Sequence, residues 1–201
     1  MQKNKYRILV LDGQGGGIGA RLIQLISPKL PANWELICVG TNSLATSSML
    51  KAGASQGATG ENAVIYNAGR ADIIMGPVGV ILANGIMGEV SSGMAAAVSG
   101  SRAVKILIPS SSCGILIAGS EDCRLEDALA RAAVLVQKKI SLSTEAPAYA
   151  GSRAGQQKLG WDFFSSFHAD FESSKPMMPR RYPPFQNGRA DTFLFFERSL
   201  V

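Results

Sequence analysis

Histidine is nearly missing from this chain: 201 residues contain one, His168. The part before residue 140 has none, which removes metal–histidine centres and Ser-His or Cys-His nucleophilic pairs from it. Cysteine is scarce too. Cys38, Cys113 and Cys123 are an odd set without metal-ligand spacing, and Cys38 sits in an apolar run as a small core residue. No metal is therefore expected. Charge is modest, 20 Lys and Arg against 15 Asp and Glu for a net of +5, and only Lys138-Lys139 and Arg180-Arg181 are adjacent cations. Without a clustered basic face, no nucleic-acid partner is expected. Long apolar runs are also lacking, so no membrane partner is expected. Met1 to Lys5 is polar and the apolar stretch after it is too short for a signal peptide, which makes a reducing, cytoplasmic setting the expectation.

Glycine is abundant, and unevenly placed. Eighteen of 22 glycines precede residue 140, whereas all eight phenylalanines, Phe163 to Phe196, and five of nine prolines follow it. This shift divides the chain into an α/β domain at 1–140 and a proline- and aromatic-rich extension at 141–201, where WDFFSSFHADF has the pattern of an aromatic-faced helix. Within the first part, strand and helix signals alternate as in a mostly parallel sheet with helices on both faces, a Rossmann-like fold. Strands are expected at Arg7–Leu11, Trp34–Val39, Ala63–Tyr66, Asp72–Met75, Lys105–Ile108 and Ile115–Ala118. Helices are expected from Ile18 to Leu30, from Ser43 to Ala52 with Thr41 or Asn42 as cap, over Val78–Val90 behind Pro77, from Ser91 or Ser92 through Ala97, and over Leu125 to Lys139.

The run RILVLDGQGGGIGARLIQLI carries the chemistry. Five of the seven residues Gly13, Gln14, Gly15, Gly16, Gly17, Ile18 and Gly19 are glycine, directly between a strand and a helix. Glycine turns sharply without steric cost, and the unpaired first-turn amides with the helix dipole offer an oxyanion a place. A nucleotide, a dinucleotide or another phosphorylated small molecule is the ligand class this turn points to. The plain alternative is a turn that needs glycine for packing alone.

Other residues narrow the reading. No Lys-Ser or Lys-Thr pair follows the glycines, so this is not a triphosphate-gripping loop. The second strand ends in Gly40-Thr41-Asn42 rather than in a ribose-binding acid, and no tyrosine has lysine four residues later, so a short-chain dehydrogenase is rejected. In an open parallel sheet ligands bind outside the carboxyl ends of the strands. That makes Gly40, Thr41 and Asn42 neighbours of the turn and Asp12 a catalytic candidate, with Glu61 a second candidate and Glu61 and Asn62 further polar contacts if their loop folds back. Asp72 and Glu89 are two further acids at loop-like positions, for which the ordinary readings are a strand start and a solvated acid.

The ordered set DGQGGGIG, GTNSLAT, MLKAGA, GATGENA, ADIIMGPVGVILAN, GEV and KILIP resembles a family of small bacterial proteins catalogued only as a domain of unknown function, over residues 5 to 140. The resemblance implies a compact Rossmann-like domain of the bacterial cytoplasm and brings no activity with it. Whether the chain is an enzyme stays open at this stage. The leading expectation is ligand binding at the glycine turn. The alternative is a non-catalytic structural or regulatory module, with ILANGIMGEV as a surface for homo-oligomer formation.

Overall fold

A computed structural model describes residues 5–110, 115–120 and 122–144. The segment WDFFSSFHADF and the rest of the extension beyond Thr144 lie outside the described residues. Five strands form one sheet in the order β3-β2-β1-β4-β5, every adjacent pair parallel. They are β1 (Tyr6–Asp12), β2 (Trp34–Gly40), β3 (Gln56–Thr59), β4 (Ile73–Pro77) and β5 (Val104–Ile108). The helices are α1 (Gly17–Ile26), α2 (Ser43–Lys51), α3 (Glu61–Ala68), α4 (Ser92–Gly100) and α5 (Leu125–Thr144).

Alternate residues of the central strands enter two cores. Ile8, Val10, Leu36, Cys38, Ile73 and Met75 pack with α1, α2 and α5 through Leu22, Ile23, Met49, Leu129 and Val136. Leu9, Leu11, Val39 and Ile74 pack with α3 and α4 through Val64, Ala68, Met94 and Val98. This is the two-sided burial that makes parallel strands read as continuous apolar runs. Each fully buried side chain of this size contributes ~1.5–3 kcal/mol. Burial also pushes the Cys38 thiol up to about 11, which leaves it inert.

Several local expectations are corrected. Ala63–Tyr66 belongs to α3, and the third strand is Gln56–Thr59, inside the stretch read as a loop. As an edge strand paired only with β2, it exposes most of its side chains and carries no apolar signal. Val78–Val90 is one 3-10 turn, Val78–Ile81, followed by a self-bonded loop. A helix cannot run there because Asn84, Ile86, Met87 and Gly88 all have positive φ. At Gly85 a Cβ would stand 2.2 Å from the Gly79 carbonyl oxygen. Ile115–Ala118 is irregular, with Leu116 fully exposed rather than in the sheet. α1 stops at Ile26, before Pro28, and α5 runs past residue 140 to Thr144.

Candidate functional site

The sheet changes direction between β1 and β4: the chain winds outward from β1 through β2 to β3, then returns to the other side of β1. In open α/β sheets the crevice at such a point, outside the carboxyl ends, is where ligands bind. Two loops meet there, Gly13–Gly16 after β1 and Val78–Val90 after β4.

Asp12 ends β1 and is 5% exposed. Its Oδ1 accepts the Gly13 amide at 2.8 Å and its Oδ2 the Gly19 amide at 2.7 Å, so it braces the turn from inside. Burial pushes its carboxyl above the ordinary range, against the amides of Gly19, Gly13 and Ile18 that pull it down. Thr41 donates its amide to the Asp12 carbonyl at 3.0 Å, and Asn42 Nδ2 donates to the Gln14 carbonyl at 3.0 Å. Gly40, Thr41 and Asn42 thus join the glycine turn. Asn42, not Thr41, caps α2, its Oδ1 accepting the Ala45 amide at 2.9 Å.

The five glycines divide into two groups. At Gly13 a Cβ would lie 2.6 Å from Glu89 Oε2 and 2.7 Å from Thr41 Oγ1. Gly16 has φ +69 and a Cβ there would meet the Ala45 backbone at 2.7 Å; at Gly19 it would meet Met49 Sδ at 2.5 Å. These three are required by packing or backbone conformation. Gly15 and Gly17 have no positive φ and a Cβ on either would meet nothing within 4 Å. Their amides have no partner among the described residues. Two exposed glycines, each with room for a side chain and without an amide partner among the described residues, thus stand at the start of α1, a helix with no acid in its first turn.

Glu61 and Asn62 stand elsewhere. Glu61 Oε1 accepts from Ser91 Oγ at 2.7 Å, tying α3 to the cap of α4. Asn62 lines a shallow cleft of about 420 Å³ along β3 with Gln56, Thr59, Tyr66 and Asn67. Neither side chain bonds to the turn among the described residues.

Glu89, whose ordinary reading from sequence is a solvated acid, is bound into this arrangement. Its Oε2 accepts from the Gln14 amide at 2.9 Å, from Asn42 Nδ2 at 3.0 Å and from the Thr41 hydroxyl. These bonds, the Thr41 hydroxyl foremost, hold its carboxyl below the ordinary range and keep it ionised. The loop that delivers it holds Asn84, Ile86 and Met87 at φ 61, 52 and 55. Such conformations cost ~1–3 kcal/mol each, most for β-branched isoleucine. The one available signal was indirect: Thr41 and Asn42, two neutral donors at the end of β2, need an acceptor. Which acid supplies it is decided by a tertiary contact 47 and 48 residues away.

Among the described residues there is no cluster of three or more His, Cys, Asp or Glu able to hold a metal, and no helix long and apolar enough to cross a membrane. What the arrangement offers is the backbone donors of Gly15 and Gly17 and one ionised acceptor, Glu89, held by the side-chain donors of Thr41 and Asn42.

A five-stranded parallel sheet covered on both faces, with a glycine-rich β1–α1 turn at its switch point, defines a Rossmann-like α/β domain. The chain belongs to the family described as Domain of unknown function (DUF3842), whose model matches residues 7–141. No curated protein matches it. Among solved structures it is similar to a dodecameric FMN-dependent Ubix-like decarboxylase from Escherichia coli O157:H7. That similarity has 13% identity over 73% of this chain and 99% of the other, with a TM-score of 0.34. A likeness at this level carries nothing about chemistry.

Proposed function

We propose that this domain binds a nucleotide or another phosphorylated small molecule, its phosphoryl group against Gly15 and Gly17 and its remainder beside Gly40, Thr41 and Asn42. A bacterial cytoplasm is the setting that goes with this reading, and 1–140 with an extension at 141–201 is the domain division. The observation that carries it is the pair of free amides on glycines that the fold itself does not require. Amides and a helix dipole bind an oxyanion without a cation. Binding does not require turnover here: Asp12 has both oxygens engaged by backbone amides, which suits bracing better than proton transfer.

The packing-only reading has its own support, since Gly13, Gly16 and Gly19 are explained by packing. It leaves Gly15 and Gly17 unexplained. In that reading the segment Ile81–Val90 forms a contact between copies, with Met87, 87% exposed, at its centre. A thermal-shift screen of nucleotides and dinucleotides on wild type and Gly17→Val separates the two. The proposal predicts stabilisation of wild type that the variant loses while melting at an unchanged temperature without ligand. No shift for any ligand, together with a dimer by native mass spectrometry, would favour self-association.

A further inference from the structure

We propose that Glu89 is a specificity-determining residue of this site: its free carboxylate oxygen accepts a hydrogen bond from a hydroxyl of the ligand, which makes the ligand class a phosphorylated sugar or a ribonucleotide. The inference rests on the phosphate-binding reading above and sharpens it.

All three protein donors that reach Glu89 converge on one oxygen, Oε2. Among the described residues no donor meets Oε1. The side chain is thus anchored by the β1–α1 turn and the β2–α2 link, while its second oxygen, on a half-buried residue, takes no hydrogen bond among the described residues. An ionised carboxylate is acceptor-only, so a ligand hydroxyl that reaches Oε1 in place of water meets an oriented, charged acceptor. Beside a turn that takes a phosphoryl group, this carboxylate repels a bare phosphate and favours one joined to a hydroxyl-bearing frame. The dinucleotide pattern expects an acid at the end of β2 to hold the ribose hydroxyls. Here β2 ends in Gly40-Thr41-Asn42, and Thr41 and Asn42 hold in place an acid supplied by the loop after β4.

Glu89→Gln tests this without changing the side chain's shape. The three donors orient the amide so that its oxygen stays on them and its NH2 group takes the outward position, which replaces a charged acceptor by a neutral donor and leaves the ligand hydroxyl only the weaker, neutral bond. Calorimetric titrations would use adenosine monophosphate, its dideoxy analogue, ribose phosphate and inorganic phosphate. Wild type is expected to prefer adenosine monophosphate over the dideoxy analogue by about tenfold or more, the worth of one hydrogen bond to a charged group. Glu89→Gln is expected to keep only a several-fold preference, the worth of a neutral hydrogen bond, and Glu89→Ala to bind the two alike. Ribose phosphate binding as well as adenosine monophosphate would assign the site to sugar phosphates, and weaker binding would assign it to ribonucleotides; both keep the inference. Equal binding of adenosine monophosphate and its dideoxy analogue by wild type, lost in Gly17→Val, would overturn the role of Glu89 and leave the phosphate site standing. A preference undiminished in Glu89→Gln, or kept in Glu89→Ala, would overturn it too. If wild type binds none of the four, the phosphate-binding reading falls and takes this inference with it. Should Glu89→Gln fail to fold, the wild-type comparison alone still decides.

Discussion

At the amino end of the sheet Glu35 meets Arg7 Nε at 3.2 Å, Lys5 Nζ at 3.6 Å and Gln56 Nε2 at 2.9 Å, whereas at the carboxyl end Asp12 and Glu89 meet only neutral donors among the described residues. Both ends bring carboxylates to the same strands. At the amino end cations and an amide close the account of charge, and the arrangement serves to hold β1, β2 and β3 in register. At the carboxyl end two acids stand near each other with no cation bonded to either among the described residues. The charge of Glu89 raises the cost of ionising Asp12, and the loop carrying Glu89 is strained. A fold selected for stability alone has no need of that arrangement, so the carboxyl end is where a ligand is to be sought.

The contrast can be broken by substitution. The largest effect is expected for Asp12→Ala, which leaves the amides of Gly13 and Gly19 buried without an acceptor and costs about 3 kcal/mol in urea unfolding. Glu35→Ala at the opposite end is expected to cost about 1–2 kcal/mol, because its partners are partly exposed and screened, and to leave ligand binding unchanged. A ligand affinity that falls with Glu35→Ala would erase the distinction between the two ends.

Glu89→Gln is expected to cost about 1 kcal/mol at neutral pH, and its pH dependence is the sharper readout. The folded state lowers the Glu89 pKa, so its contribution is complete above the ordinary glutamate range and is lost as pH falls through the lowered value. The difference in melting temperature between wild type and Glu89→Gln therefore shrinks on acidification. A difference that grows would contradict the assignment of Glu89 as the held, ionised acid. The smallest effect belongs to Gly17→Ala, which is expected to stay within about 0.5 kcal/mol of wild type, on the stable side, since alanine is the better helix former.

Much of the fold is legible in the sequence. The buried strands Arg7–Leu11 and Trp34–Val39 follow from apolar runs, and the caps Asn42 and Ser91 are each one of two adjacent candidates with a side-chain oxygen. The final helix follows from its apolar spacing and the acids Glu126 and Asp127 in its first turn, while its end at Thr144, with no basic residue in the last turn, does not. β3 was not readable, because an edge strand of Gln, Gly, Ala and Thr buries too little to leave a pattern. Ala63 to Tyr66 have strand-forming side chains, yet Val64 and Ala68, four apart, are the ones that enter the core, and tertiary packing makes the segment a helix. At the site, the local members Asp12, Gly13–Gly19 and Gly40–Asn42 were found because their chemistry lies in consecutive residues. Glu89 was not, because a left-handed turn at Ile86 and Met87 has no ordinary sequence signal and only that turn brings it to Thr41.

The account turns on Gly17, whose missing side chain the fold does not need. Isothermal titration of adenosine monophosphate into wild type and Gly17→Val, beside melting curves of both, tests it most directly. The account predicts binding to wild type, loss of it by about a hundredfold or more in the variant, and equal melting temperatures without ligand. Equal affinity in the two proteins would contradict it, as would a wild type that binds no phosphorylated ligand at all.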